Sequence, residues 1–501
     1  VIEAWNRRLR ALPGRHGGIR PLIALTLVLA LALGLRLEFA RNHIAHPTPD
    51  SRGYARIAES LYSDGQFGRR GGFGGEEVQD PTNYSPGLPL FAAGIYYATG
   101  GVKPLLVRVS LALLGTLAVL LTYLLARRLA AALVPDRGLS SPTAAWAGVV
   151  AALPLAIYPS LLEYHGMIMS EPLAIFWLSA AVLSFLWASD GRPLWAWALP
   201  GLLFGMTALT RPEYLTFGAV FAVLAIVRLA RDGRAWRPRL LGAGAFLAAF
   251  LIPIVPWTVH NYVSLHRFVP LSTGGSKALF IGTYYPGDGM NDKTKSVLLA
   301  DNPGLRRFLF TEKPRPQPSL PTPWLSLSLP QLPKDGIEPR RLLSQDFEQV
   351  NFVFLDQILD TLAAERHPGL PVDAALSKDA KHNFWHYWTT KPLPYAWMYA
   401  KKTWHMWRAG PRDTMKLPLW RAFHLAIVLL ALTALIALAI RRRWEATVIG
   451  ALTLGITAEG TLLLAAERRV LVLLPLISTL AGAATVWLAH LASKRRSRPA
   501  A

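Results

Sequence analysis

An all-α polytopic membrane protein is the fold class that this 501-residue sequence predicts, and three observations carry it. Hydrophobic residues make up 52% of the chain and its mean hydropathy is positive, unlike an ordinary soluble domain. Ten apolar stretches approach the roughly 20 residues that a helix needs to cross a hydrocarbon core. They are 19–37, 105–126, 143–158, 172–188, 194–209, 214–227, 240–257, 422–440, 446–464 and 470–491. The charge, +22 overall, is also sorted by loop. With the N-terminus inside, the inner segments hold 21 Lys and Arg against four acids, whereas the outer loop 38–103 holds six basic and seven acidic residues. That is the positive-inside pattern, so the basic excess reports topology and gives no reason to expect nucleic acid as a partner.

Taken in order, the first stretch follows Arg7, Arg8, Arg10, Arg15 and Arg20, as a signal peptide would. Gly34-Leu35-Arg36 is a poor cleavage site and further spans follow, so this helix is expected to be retained. In the outer loop, Tyr54, Ile57, Ala58, Leu61 and Tyr62 recur at helical spacing and predict a helix lying at the interface. A glycine-rich turn over 65–75, with Arg69-Arg70, separates it from a second short interfacial helix that starts near Pro86 and ends near Thr99. Domains are expected at 1–262 (membrane module with its outer loop), 263–420 (a small α or α+β extracytoplasmic region) and 421–501 (closing spans). The middle region is proline-rich near 314–333 and ends among aromatics from Trp385 to Trp407 that suit a belt at the membrane surface. The absence of cysteine excludes disulfides, thiol nucleophiles and thiolate metal sites.

Charged residues at the outer mouths of the spans are the candidates for chemistry. Asp50 follows the first span, and Glu171 sits in Met169-Ser170-Glu171-Pro172 at the start of the fourth. Each also reads as an ordinary helix start, by Asp50 or Ser170 capping. Two carboxylates on one membrane face could instead share a divalent metal, or divide base and positioning roles. Arg211, in Leu209-Thr210-Arg211-Pro212-Glu213, either pairs with Glu213 or binds a lipid phosphate. His260 and Asn261 close the seventh stretch, Arg267 and Lys277 follow in a Gly/Ser-rich turn, and Glu467-Arg468-Arg469 lies between the last two spans. All of these fall on the outer face, as a held anionic lipid headgroup would require.

In this order the motifs resemble the GT-C superfamily of integral-membrane glycosyltransferases, in the branch of protein O-mannosyltransferases and the lipid A aminoarabinose transferase. The pieces are Asp50-Ser51 with Tyr54, Tyr84-Ser85-Pro86-Gly87-Leu88-Pro89-Leu90-Phe91, Met169-Ser170-Glu171-Pro172-Leu173, Leu209-Thr210-Arg211-Pro212-Glu213, Pro256-Trp257 with His260-Asn261-Tyr262, and Glu467-Arg468-Arg469. His260 departs from the Arg usual before Asn, and Arg469 from a frequent Tyr. The resemblance implies a GT-C-like fold and residence in a bacterial inner membrane. It further implies transfer of a sugar from a polyprenyl-phosphate donor to a lipid, glycan or protein acceptor on the extracytoplasmic side, and one base with a single displacement implies inversion. Asp50 and Glu171 are then the catalytic candidates. Tyr54, Tyr84, His165, Arg211, Glu213, His260, Asn261, Arg267, Lys277 and Arg468 are the substrate-binding ones. Asp50 and Glu171 would also be the ligands of a divalent metal, Mg or Mn, the one cofactor expected. The rival readings are a flippase for a lipid-linked sugar, another lipid-linked transferase or ligase, and an assembly scaffold.

Overall fold

Each of the ten apolar stretches folds as a helix in the computed structural model, which describes residues 19–42, 48–68, 81–134, 138, 141–302 and 355–496. Arg7, Arg8, Arg10 and Arg15, the Arg69-Arg70 turn and the proline-rich 314–333 segment lie outside the described residues. The helices are α1 (Ile19–Arg41), α2 (Pro49–Asp64), α3 (Gly87–Thr99), α4 (Pro104–Leu133), α5 (Pro142–Ile157), α6 (Pro159–His165) and α7 (Ser170–Ala188). They continue as α8 (Ala198–Thr210), α9 (Phe217–Arg231), α10 (Trp236–Leu265), α11 (Gly275–Thr283) and α12 (Asn291–Asp301). The series closes with α13 (Leu355–Arg366), α14 (Val372–Thr390), α15 (Pro392–Trp407), α16 (Pro418–Ile440), α17 (Trp444–Leu462) and α18 (Glu467–Arg496). Among the described residues there is no strand.

Among the described residues seven helices are long and apolar enough to cross a membrane, and α5 with α6 makes an eighth if taken as one span bent by 57°. The other two expected spans are a shorter apolar helix, Leu194–Thr210, and α17, which carries Glu445 and Glu459. The chain is an integral, multi-pass membrane protein. Its central pillar is α18, whose residues Val470 to Ala484 are almost wholly buried against α4, α5, α7 and α16. Between helices in lipid there is little hydrophobic gain, so close packing holds the bundle together. Small residues at the α5–α18 contact, such as Ala147, Ala151 and Ala484, are fully buried. Outside the bundle, α11 to α14 share a separate small core built on Phe280, Leu298, Leu359, Leu362 and Leu376.

The break between α5 and α6 has a cause in sequence. Pro159 has no N–H, so the Leu155 carbonyl four residues earlier loses its helical donor. Arg36 of α1 replaces it: Nη2 donates to Leu155 O at 2.9 Å, and Nη1 to Ala156 O at 3.2 Å and Ala32 O at 3.1 Å. A buried arginine in an apolar stretch thereby places both Nη groups on carbonyls, two of them at the bend. Arg36→Met is expected to cost about 2–4 kcal/mol, since each buried carbonyl left without a donor costs about 1–3 kcal/mol. Denaturant unfolding of the detergent-solubilised protein checks this, and a variant as stable as the parent would show that the bend forms without Arg36.

Candidate active site

The outer loop presents Asp50 from the first turn of α2. Thr48 is the cap of this helix, its Oγ1 accepting from Ser51 N at 3.2 Å, with Pro49 inside the first turn. The carboxylate of Asp50 is therefore not the capping group. The next residue fixes the position, because Ser51 Oγ accepts from Ile168 N at 3.2 Å. That bond joins the Asp50-Ser51 motif to the stretch leading into Glu171. Tyr54, one turn on, packs edge-on against Tyr84 with ring centroids 5.1 Å apart. Gly53 is required here: a Cβ would lie 2.3 Å from the Tyr84 hydroxyl. Gly87 has the same logic, since its Cβ would fall 2.7 Å from Thr210 Cα. The Pro86-Gly87 motif is thus the seat on which the end of α8, and with it Arg211, rests.

Side chains from four distant parts of the chain then form a line of alternating charge. Asp50 Oδ2 lies 2.6 Å from Arg468 Nη1, and Arg468 Nε lies 3.1 Å from Glu171 Oε1. That same Oε1 lies 3.0 Å from Arg211 Nη1, and Arg211 Nε lies 2.6 Å from Glu213 Oε1. Arg211 therefore pairs with its neighbour Glu213, one of the two readings of the sequence, and also with the distant Glu171, a contact the sequence did not announce. Exposure falls along the line: the Asp50 side chain is 41% exposed, Arg468 33% and Glu171 0%. Glu171 Oε2 is buried with no hydrogen-bond partner among the described residues. Ser170 is not a cap either; its Oγ lies 3.4 Å from Arg211 Nη1 and bonds the Tyr54 hydroxyl. Burial, reinforced by the nearby Asp50 charge, holds that hydroxyl neutral well above the usual phenol range.

The first turn of α18 delivers Arg468, and the linker before it is clamped from outside the bundle. Lys402 of α15 donates to Leu463 O at 2.7 Å and to Gly282 O at 2.8 Å. Buried without an acidic partner, its ammonium is pulled down to about 7 by desolvation. His405 Nε2 lies 3.0 Å from Glu467 Oε1, and Arg469 Nη1 lies 3.6 Å from Glu459 Oε1.

Sequence reasoning missed a second buried pair beside this line. Glu163 of α6 accepts from Arg412 Nε at 2.7 Å and from Thr414 Oγ1 at 2.6 Å. Arg412 holds φ at 78° and ψ at 154°, a region nearly reserved for glycine, at a cost of about 1–3 kcal/mol. The pair fastens the end of the outer region beneath Tyr164, whose neighbouring charges are Glu171, Arg468, Arg412 and Glu163. Glu163 stands eight residues before Glu171 in the sequence, but nothing near Arg412 marks it.

The other expected residues lie elsewhere. Lys277 Nζ pairs with Asp360 at 2.7 Å, and Arg267 pairs with Asp373, both within the outer region. His260 stacks on Trp257 at 4.6 Å, and buried Asn261 donates to Val269 O and Leu271 O, closing the turn after α10. His165 is buried at the end of α6, its Nδ1 donating to Leu161 O, beside Arg36. The aromatics of α14 and α15 divide: Tyr395 is buried among Tyr387, Trp388 and Tyr399, while Trp385, Trp397 and Trp404 face outward.

A divalent metal shared by Asp50 and Glu171 does not fit these side chains. The position between them is filled by the Arg468 guanidinium, and no three His, Asp or Glu residues come together among the described residues.

No family model matches this sequence, and no curated protein matches it. Solved structures do. The apo crystal structure of the Archaeoglobus fulgidus oligosaccharyltransferase is 15% identical with a TM-score of 0.50, over 95% of this chain and 51% of that one. The archaeal oligosaccharyltransferase AglB from the same organism, in complex with an inhibitory peptide and a dolichol-phosphate, is 14% identical with a TM-score of 0.49 over 96% and 52%. ArnT from Cupriavidus metallidurans, bound to undecaprenyl phosphate, is 14% identical with a TM-score of 0.37 over 94% and 79%. The chain spans about half the length of the oligosaccharyltransferases it matches. At such identity the likeness is one of fold: over 95% of its length the chain shares the fold of about half of the Archaeoglobus fulgidus oligosaccharyltransferase.

Proposed function

We propose that the chain is a membrane glycosyltransferase that moves a sugar from a polyprenyl-phosphate donor to an acceptor hydroxyl on the extracytoplasmic side, with Asp50 as base. The observation that carries this reading is the line Asp50–Arg468–Glu171–Arg211–Glu213, in which only the Asp50 end opens widely to solvent. In the proposed step the acceptor oxygen forms a bond to the anomeric carbon as the bond from that carbon to the phosphate oxygen breaks. The hydroxyl proton goes to Asp50, and the electron pair leaves with the polyprenyl phosphate. A single displacement of this kind inverts the sugar carbon. Arg468 uses Nη1 and Nε on the carboxylates, so Nη2 remains to meet the phosphate. The unpartnered Glu171 Oε2 suits a hydroxyl donated by the substrate.

A scaffold would have no use for a buried carboxylate with an unmet acceptor. A flippase would move the lipid without cleaving it, and one experiment separates the two activities. Proteoliposomes of the purified chain, given a polyprenyl-phosphate sugar and an acceptor fraction, are expected to release free polyprenyl phosphate together with a glycosylated product. Since Arg468 occupies the place a shared metal would take, a chelator is expected to leave that rate unchanged. Movement of the donor across the bilayer with no free polyprenyl phosphate would replace the transferase by the flippase.

A further inference from the structure

At the end of the bundle away from the ion line, a cavity of about 350 Å³ opens where α4, α16 and α18 finish. Its polar lining is Arg441, Arg443, His490 and Lys494, and its apolar lining includes Leu133 and Trp487. Among the described residues no acid lines it; Glu445 lies 3.8 Å from Arg443 Nε and 3.5 Å from Arg128 Nε. Arg441 is held in place, its guanidinium lying over the Trp487 ring at 5.3 Å and donating to the Leu133 carbonyl at the end of α4. From Arg468 to Lys494 along α18 is roughly 40 Å at about 1.5 Å per residue, more than the roughly 30 Å hydrocarbon core. The cavity therefore belongs to the opposite interface from the proposed transfer site.

We propose that this cavity binds the phosphate of an anionic phospholipid. Guanidinium groups suit phosphate oxygens, and basic pockets between spanning helices are a recurrent way of holding acidic headgroups. The surface below the cavity gives the acyl chains a path. Leu429, Leu432, Ile436 and Ile440 form one exposed stripe along α16 that ends beside Arg441, and Leu488 and Leu491 of α18 are exposed next to it. A free phosphate would satisfy the basic groups and leave that stripe unused. The proposal does not depend on the transfer reaction.

The test is native mass spectrometry of the full chain in micelles doped with phosphatidylglycerol or phosphatidylcholine. The parent is expected to retain phosphatidylglycerol preferentially. The variant Arg443→Gln/Lys494→Gln, which spares the Arg441 contact with α4, is expected to lose about thirtyfold in retention. Its thermal midpoint should stay with the parent's, so that loss of lipid is not loss of fold. Equal retention of the two lipids, or unchanged retention in the variant, overturns the proposal. Displacement of phosphatidylglycerol by millimolar inorganic phosphate would assign the cavity to a free anion and overturn it as well.

Discussion

Asp50→Asn is expected to lower the rate of sugar transfer by about 10²- to 10⁴-fold, the range that a positioned general base contributes, while leaving the protein folded. The substitution keeps the shape of the side chain and an oxygen that can accept from Arg468, but it removes the capacity to take a proton. Its effect on stability is expected to be small. The Asp50 carboxylate is 41% exposed, and solvent screening leaves an exposed pair worth only about 0–1 kcal/mol. Glu171→Gln supplies the contrast. Glu171 is fully buried between Arg211 and Arg468, and neutralising it would leave two guanidinium groups in the packed end of the bundle with one carboxylate each, Glu213 and Asp50. Release of polyprenyl phosphate and the thermal midpoint, measured on both variants, therefore separate the reactive carboxylate from the organising one. Parent-like release from Asp50→Asn would remove Asp50 as the base.

The two acids were legible because their surroundings are local: each stands at a helix mouth, and the sorting of basic residues by loop assigns both mouths to one face. Arg211 was legible for the same reason, as a charge at the edge of an apolar stretch. The sequence does not carry the order of contact. Nothing in Glu467-Arg468-Arg469 says that Arg468 turns toward Asp50 and Glu171 while Arg469 turns toward Glu459, since that depends on how α18 is rotated in the bundle. Arg36 was passed over because its partners are main-chain carbonyls, freed by a proline about 120 residues away, with no acid to announce them. His260, Arg267 and Lys277 looked like anion ligands because polar residues cluster after α10. Packing gives them a stacking ring and two acids of the outer region as partners.

Arg468 is where stability and reactivity meet, and its substitution is expected to have the largest combined effect. Arg468→Met leaves Glu171 buried with Arg211 as its single cation partner and leaves Asp50 without one, and breaking a buried pair in this way costs about 3–5 kcal/mol. Low yield and a lowered unfolding midpoint are the expected results. Arg468→Lys keeps the charge and should fold, yet a compact ammonium cannot replace a planar fork that contacts Asp50 through Nη1 and Glu171 through Nε. Transfer by this variant is expected to fall about 10²- to 10³-fold, comparable to losing one preorganised donor at a developing negative charge. The reason lies in the timing of charge. In the proposed reaction, as the acceptor proton reaches Asp50, that carboxylate becomes neutral and releases its hold on Arg468, at the moment when the departing phosphate gains a full charge. Arg468 then exchanges one anion for another without moving far, and Glu171 keeps it in place during the exchange. Stopped-turnover measurements with Arg468→Lys should show the donor bound and the bond uncleaved; a lysine variant as fast as the parent would mean that the phosphate leaves against some other cation.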